Sequence, residues 1–155
     1  MDSQEEIAIW ADKLAIQELG VRYCDATTRG DWDAFEAAWA DDAVWEESAP
    51  LEATIVGRRE IRDRIAPSLD GVEFFVQICH GVTIDEIAGD RARARATVQG
   101  MARSRGHSCV NYGIYYDELV KCDGLWRYAR RRLQNIYVDT SPLAGAAAIA
   151  RGAIP

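Results

Sequence analysis

Between Gln4 and Thr28 the apolar residues Ile7, Trp10, Ala11, Leu14, Ile16, Leu19, Val21 and Tyr23 recur mostly every three or four positions. That spacing predicts an amphipathic helix of about six turns. Gly30 ends it, and Asp31 then reads as the N-cap of a second helix, WDAFEAAWA, with Trp32, Phe35 and Trp39 on one face. DDAVWEE and ATIVG follow as short extended pieces. Gly57 opens a third helix, RREIRDRIAPS, with Ile61 and Ile65 inward and its end near Pro67.

The second half changes period. GVEFFVQICHGVTIDEIAG reads as one long apolar strand, or two joined by a bulge at Gly81. Gly89 and Asp90 make a turn. RARARATVQGMARS then alternates strictly, with Arg91, Arg93 and Arg95 on one side and Ala92, Ala94 and Ala96 on the other. A charged face at period two marks a strand covered on one side only. HSCVNYGIYYDELVKC is the next strand, Asp123 and Gly124 the next turn, and LWRYARRRLQNIYV the last strand. Strict alternation there places Arg127, Ala129, Arg131 and Leu133 on one side, and Trp126, Tyr128, Arg130 and Arg132 on the other.

Helices followed by an antiparallel meander predict an α+β fold, with a long curved sheet wrapped around the N-terminal helix to enclose a cone. The three alanines leave room inside it, for a closely packed helix or for a ligand; the helix is the simpler reading. The expected organisation is one domain over residues 1–140 and an Ala/Gly-rich tail over 141–155. The tail has no core pattern of its own and is expected to be floppy or to dock on a neighbour.

Composition narrows the function. A chain of 155 residues, 48% hydrophobic, suits a single domain with one core. A net charge of -7 argues against nucleic acid as partner. No basic run precedes an apolar segment at the N-terminus, and no stretch is long enough to span a bilayer, so a cytoplasmic protein without a membrane partner is expected. Cys24, Cys79, Cys109 and Cys122 form no CxxC pair, and the two histidines, His80 and His107, lie far apart in the chain. No metal and no cofactor are expected.

The segments IQELGVRY, TRGDWDAFEAAWADDAVW, GRREIRDRI, RARARA and GIYYDELVKCDGLWRYARRR cover most of residues 13 to 132. Together they resemble the SnoaL-like branch of the nuclear transport factor 2 (NTF2-like) superfamily; TSPLAG is similar to the tail of the branch's hexachlorocyclohexane dehydrochlorinases. The resemblance implies a cone-shaped α+β barrel with an apolar pocket open at one end, and a homodimer or homotrimer. It implies cofactor-free dehydratase, dehydrohalogenase, isomerase or polyketide cyclase chemistry, or ligand binding alone, because fold does not fix function. In such enzymes a histidine–aspartate pair moves a proton and an arginine holds a developing anion.

Matched residue by residue, the branch's aspartate falls on Thr28, which cannot serve as a carboxylate base. Asp25, one turn earlier on the same helix face, is the candidate replacement; otherwise it is a solvated helix residue. Asp31 and Asp33 read as the cap and first-turn charges of the second helix, and Asp41 and Asp42 as turn residues. Glu46 and Glu47 alternate sides, with no sign of which looks inward. His80 lies on the strand that carries the branch's histidine, but ungapped matching puts Gln77 at that position. A bulge at Gly81 would turn His80 inward; without it Gln77 faces the pocket and binds a polar group without accepting a proton.

Arg131 matches the anion-holding arginine. Inside an apolar cone it needs a paired acid or a bound anion, and Asp25 is the nominated partner; the alternative is an outer arginine stripe. The expected catalytic set is therefore His80, Asp25 and Arg131. Tyr23, Thr28, Trp45, Gln77, Asn111 and Tyr115 are expected to contact substrate. The expected function is a cofactor-independent lyase acting on a small apolar cyclic or aromatic molecule by proton abstraction. An isomerase or cyclase, and a non-catalytic module that binds a hydrophobic ligand, are the alternatives.

Overall fold

The computed structural model describes residues 1–155. Helix α1 (Ser3–Arg29) opens on a capping box. Asp2 accepts hydrogen bonds from the backbone N–H groups of Gln4 and Glu5, and Glu5 accepts from the Asp2 N–H. It ends at Gly30, whose φ of 73° is the left-handed conformation that suits glycine at a helix C-terminus. The apolar positions of α1 divide between two opposite faces. Ile16, Gly20, Tyr23, Cys24 and Thr27 are buried, whereas Ile7, Trp10, Leu14 and Val21 form an exposed stripe, Ile7 at 67% and Leu14 at 66%. A single inward stripe running the length of the helix is thus corrected: only its C-terminal half enters the core.

Helix α2 (Trp32–Ala37), capped by Asp31, is shorter than its pattern suggested. Trp39 already begins strand β1 (Trp39–Glu47), so Asp41 and Asp42 lie on a strand and face solvent. Strand β2 (Ala53–Val56) pairs with β1, and helix α3 (Arg58–Asp70) starts at Gly57 and continues through Pro67 to Gly71. A proline in a helix forfeits one backbone bond. Ile61 is fully buried and Ile65 packs against the core, which holds the last turn in place.

Strands β3 (Phe74–Ala88), β4 (Arg91–Ser104), β5 (His107–Cys122) and β6 (Leu125–Asp139) form an antiparallel meander. The six-stranded order is β2-β1-β6-β5-β4-β3, with β1 parallel to β6. This is the α+β cone expected from the sequence. Ala92, Ala94 and Ala96 are buried in its core, while Arg93 and Arg95 pair outside with Glu86 and Asp85. The turn Asp123–Gly124 has φ values of 53° and 76°, as a tight hairpin between right-twisted strands requires.

Of the sheet's register shifts, the one at His80 in β3 and the one at Ala129 in β6 set the side-chain directions that matter here. The shift in β3 leaves His80 without a ladder partner between Cys79 and Gly81. The shift in β6 pairs Tyr128 with Leu119 but Arg130 with Glu118, so Ala129 is the extra residue. Trp126 and Tyr128 therefore point inward together with Arg131 and Leu133, against the strict alternation read from the sequence. The tail docks on its own chain. Arg103 donates to the carbonyls of Leu143 at 2.8 Å and Gly145 at 2.7 Å, and Arg151, in a short 3-10 turn, is 8% exposed. No helix is long and apolar enough to cross a membrane.

Gly113 on β5 lies close against the β6 backbone. A Cβ there would lie 2.8 Å from the Gln134 carbonyl oxygen and 2.9 Å from Leu133 Cδ1, and the carbonyl is fixed by the sheet. Gly113→Ala is expected to cost about 1–3 kcal/mol, read as a lower urea midpoint. Gly145→Ala, which meets nothing within 4 Å, is the control and should change stability by less than about 0.5 kcal/mol.

Candidate functional site

The wide end of the cone holds a cavity of about 340 Å³, walled by β1, β3, β5 and β6, the end of α1, and the Ile65 and Leu69 side of α3. Its floor is aromatic. Tyr23 and Tyr115 are nearly fully buried, and Tyr128 joins them below. Behind these rings lies Arg131, with 0% exposure, donating to Asp117 through Nε at 2.8 Å and Nη2 at 3.1 Å. Its Cζ is 4.3, 3.8 and 4.1 Å from the ring centroids of Tyr23, Tyr115 and Tyr128. Desolvation opposes the guanidinium charge, but Asp117 and the three tyrosines outweigh it and hold Arg131 firmly protonated. Burial also pushes the Asp117 carboxyl up, and Arg131 counters this.

Arg131 is thus inward, as expected, but its partner is Asp117 and not Asp25. It does not line the cavity. Asp25 is exposed on α1 and accepts from Arg29 Nε at 3.1 Å, on the far side of the helix from the cavity wall. His80 is exposed on the outer face of β3, with Nε2 3.2 Å from Gln99 Oε1. The β3 bulge restores the inward direction only after His80, at Val82, whose Cγ2 approaches Gly20. A histidine–aspartate base built from His80 and Asp25 is therefore corrected: neither reaches a molecule in the cavity.

Gln77 occupies the inward place. Thr27 Oγ1 lies 3.0 Å from the Cys24 carbonyl and 3.1 Å from Gln77 Oε1. Thr28 Oγ1 accepts from the Gln77 N–H at 3.0 Å and faces the Gln77 carbonyl at 3.3 Å. Thr28, expected to touch substrate, is not part of the lining; it ties α1 to β3 and Thr27 takes its place. Trp45, Tyr23, Asn111 and Tyr115 do line the cavity.

The group sequence reading left undecided is Glu47. It lines the cavity, while Glu46 faces out and pairs with Arg130 at 2.7 Å. Asn135 Nδ2 donates to Glu47 Oε1 at 3.0 Å, and Asn111 Nδ2 donates to Asn135 Oδ1 at 3.0 Å. Gly100 leaves room for Asn111, whose Oδ1 occupies the space a Cβ would fill. Burial raises the Glu47 carboxyl above the usual glutamate range, and the Asn135 hydrogen bond offsets part of this. No other carboxylate and no lysine, arginine or histidine lines the cavity. Glu47 and Tyr115 pair with the same β6 residue, Leu133, from its two sides. With strands about 4.8 Å apart, their Cα atoms lie about 10 Å apart on the concave face, leaving space between carboxylate and phenol.

Burial raises the phenols of Tyr23 and Tyr115, so both stay protonated near neutrality. For Tyr115 the nearby Arg131 charge and hydrogen bonds with Tyr23 and Gln77 pull the other way. The floor can therefore donate hydrogen bonds, and the Glu47 side can accept a proton. No group of three or more His, Cys, Asp or Glu side chains is placed to hold a metal ion.

Comparison with known proteins places this architecture. The sequence profile of the SnoaL-like domain matches residues 9–132. A search of curated protein sequences found no match. Among solved structures, a singly substituted form of a Mycobacterium tuberculosis protein of unknown function is 27% identical, covering 99% of this chain and 88% of that one, with a TM-score of 0.74. A candidate aromatic ring hydroxylase from Novosphingobium aromaticivorans is 25% identical over 84% of this chain and 94% of that one, with a TM-score of 0.77. A type 2 hexachlorocyclohexane dehydrochlorinase reaches a TM-score of 0.79 at 20% identity, covering 90% of this chain and 94% of that one; at that identity it speaks to the fold alone.

The buried pair yields a direct test. Arg131→Leu leaves Asp117 charged and unpaired inside the cone and is expected to cost about 3–5 kcal/mol, measured by urea titration. Replacing both, Arg131→Leu with Asp117→Leu, should recover most of that loss.

Proposed function

The chain belongs to the SnoaL-like family, and on that premise we propose that it is a cofactor-independent lyase for a small, neutral, largely apolar cyclic or aromatic molecule. Glu47, not His80, is its base. What carries this reading is one carboxylate, shifted upward by burial, set across an apolar space from two protonated tyrosines. Glu47 takes a proton from a carbon of the substrate. The C–H electron pair forms the new double bond, and the neighbouring C–O bond breaks. Tyr115, backed by Tyr23, gives its proton to the departing hydroxyl, which leaves as water; solvent returns the Glu47 proton to the phenol. A halide would leave without that acid, so the elimination named for the dehydrochlorinase neighbour runs on the same parts. Returning the proton to a second carbon would make the reaction an isomerisation.

Charge supports the choice of substrate. The cavity contains no facing cation, because Arg131 is behind the tyrosines and already neutralised by Asp117. A carboxylate or phosphate substrate would meet Glu47 with no counter-charge. Asn111 and Gln77 can orient a hydroxyl or carbonyl. A second reading, a binding module without chemistry, is favoured by one observation: the positions matching the branch's aspartate and histidine hold Thr28 and Gln77.

Turnover of neutral alicyclic and aromatic alcohols and halides separates the two. Glu47→Gln keeps the shape and the acceptor for Asn135 but removes the base, and should lower kcat by at least about 100-fold while ligand affinity persists. A variant as active as the parent, or a parent that binds such molecules and converts none, would leave only the container. In the active enzyme the rate should fall as pH drops through a value above the ordinary glutamate range, since protonated Glu47 accepts nothing. The stability sign is the reverse. A folded-state pKa raised above the unfolded one gives stability that is lost as pH rises through the folded value. Glu47→Gln should therefore melt higher than the parent at pH 8 and show no such gain at pH 4.

A further inference from the structure

The tail lies outside the cavity, yet its one buried charge bears on the cavity wall. Arg151 Nη2 donates to the Thr27 carbonyl at 2.6 Å, and Nη1 donates to the Thr28 carbonyl at 2.9 Å and the Phe75 carbonyl at 3.4 Å. Thr27 and Thr28 lie in the last turn of α1, where carbonyls lack intrahelical partners and the helix dipole is negative. A guanidinium there satisfies two of those oxygens and reaches across to β3 with the third bond. Arg29 adds a bond of 3.2 Å from Nη1 to the Pro155 carbonyl, so the end of α1 and the end of the chain hold each other.

Thr27 and Phe75 have their side chains on the inner surface, and Thr28 braces the strand beside them. Thr27 Oγ1 meets Gln77 Oε1, Thr28 Oγ1 fixes the Gln77 backbone, and Phe75 and Gln77 both line the cavity. Phe75 also borders an apolar groove whose other wall includes Leu143, Ala146 and Ile149, with Arg151 Cζ 5.6 Å from the Phe75 ring. We propose that Arg151 is a positioning residue: from outside, it holds the end of α1 against β3 so that Gln77 and Phe75 present a fixed wall to the bound molecule. The tail is then part of the site at one remove. This rests on the cavity being the functional site, and not on Glu47 being a base.

The test uses the full-length protein and 2-naphthol, a neutral bicyclic phenol, its affinity read by quenching of tryptophan fluorescence. The side-chain amide signals of Gln77 in a ¹⁵N-labelled sample supply a readout that needs no ligand. Arg151→Ala is expected to shift those signals and weaken naphthol binding about tenfold, with millimolar guanidinium ion restoring part of the loss. Arg151→Lys, which keeps the charge but not the three-way reach and is the variant less disruptive to folding, should shift the same signals to a smaller extent. In a Gln77→Ala background, adding Arg151→Ala should change affinity by less than about twofold. The proposal is overturned if the Gln77 signals do not move in either Arg151 variant, or if the loss is the same with and without Gln77. It is equally overturned if the variants only melt lower while affinity is kept.

Discussion

A guanidinium and a carboxylate buried together at the base of the cone, Arg131 against Asp117, constrain everything above them. Removing either charge from water costs several kcal/mol, and only a close, well-aligned partner compensates. The geometry supplies this with two bonds from one fork to one carboxylate, at 2.8 and 3.1 Å. Three tyrosine rings around the guanidinium add attraction of about 0.5–2 kcal/mol each. Those rings cannot move far without exposing the pair. Tyr23 and Tyr115 are thereby fixed as the cavity floor, with their hydroxyls among Gln77 and each other.

Because that charge is answered from within, the cavity above behaves as an apolar vessel with one acidic side. The polar groups divide by element. Glu47, Asn135 and Asn111 form a hydrogen-bonded row across β1, β6 and β5, whereas Thr27 and Gln77 join α1 to β3 on the other wall. Each row is held by groups that do not enter the cavity. The Ala49 carbonyl takes a second bond from Asn135, and Arg151 grips the carbonyls behind Thr27. A site whose polar atoms are fixed by such outer bonds loses little freedom when a ligand enters.

The fold was legible in the sequence because its local signals agree. Period two in RARARA, the Asp123–Gly124 turn, the Gly30 stop and the Asp31 cap all appear where the pattern placed them. Two departures concern where a strand begins and where one slips. Trp39 continued a helical apolar spacing but enters a strand, and Tyr128 shares a face with Arg131 because Ala129 is an extra residue. Bulges leave no mark in composition, and each one reverses every side chain beyond it. The apolar stripe of Ile7, Trp10 and Leu14 misled differently: periodicity shows that a helix has a face and not what covers it.

Strand parity carries much of the site. Once Trp45, Asn111 and Tyr115 are taken as inward, period two alone turns Glu47 inward beside Trp45, and Asp117 inward beside Tyr115, with Arg131 one strand away. That parity gives both the acid facing the cavity and the true partner of the arginine. The branch's histidine–aspartate pair is absent from its own positions, where Thr28 and Gln77 stand. Those two replacements belong together physically. The Thr28 hydroxyl bonds the Gln77 backbone and the Thr27 hydroxyl meets the Gln77 side-chain oxygen, so this stretch of wall is held without a titrating group. On the opposite side burial raises the one carboxylate of the cavity, Glu47, and Asn135 holds it in place.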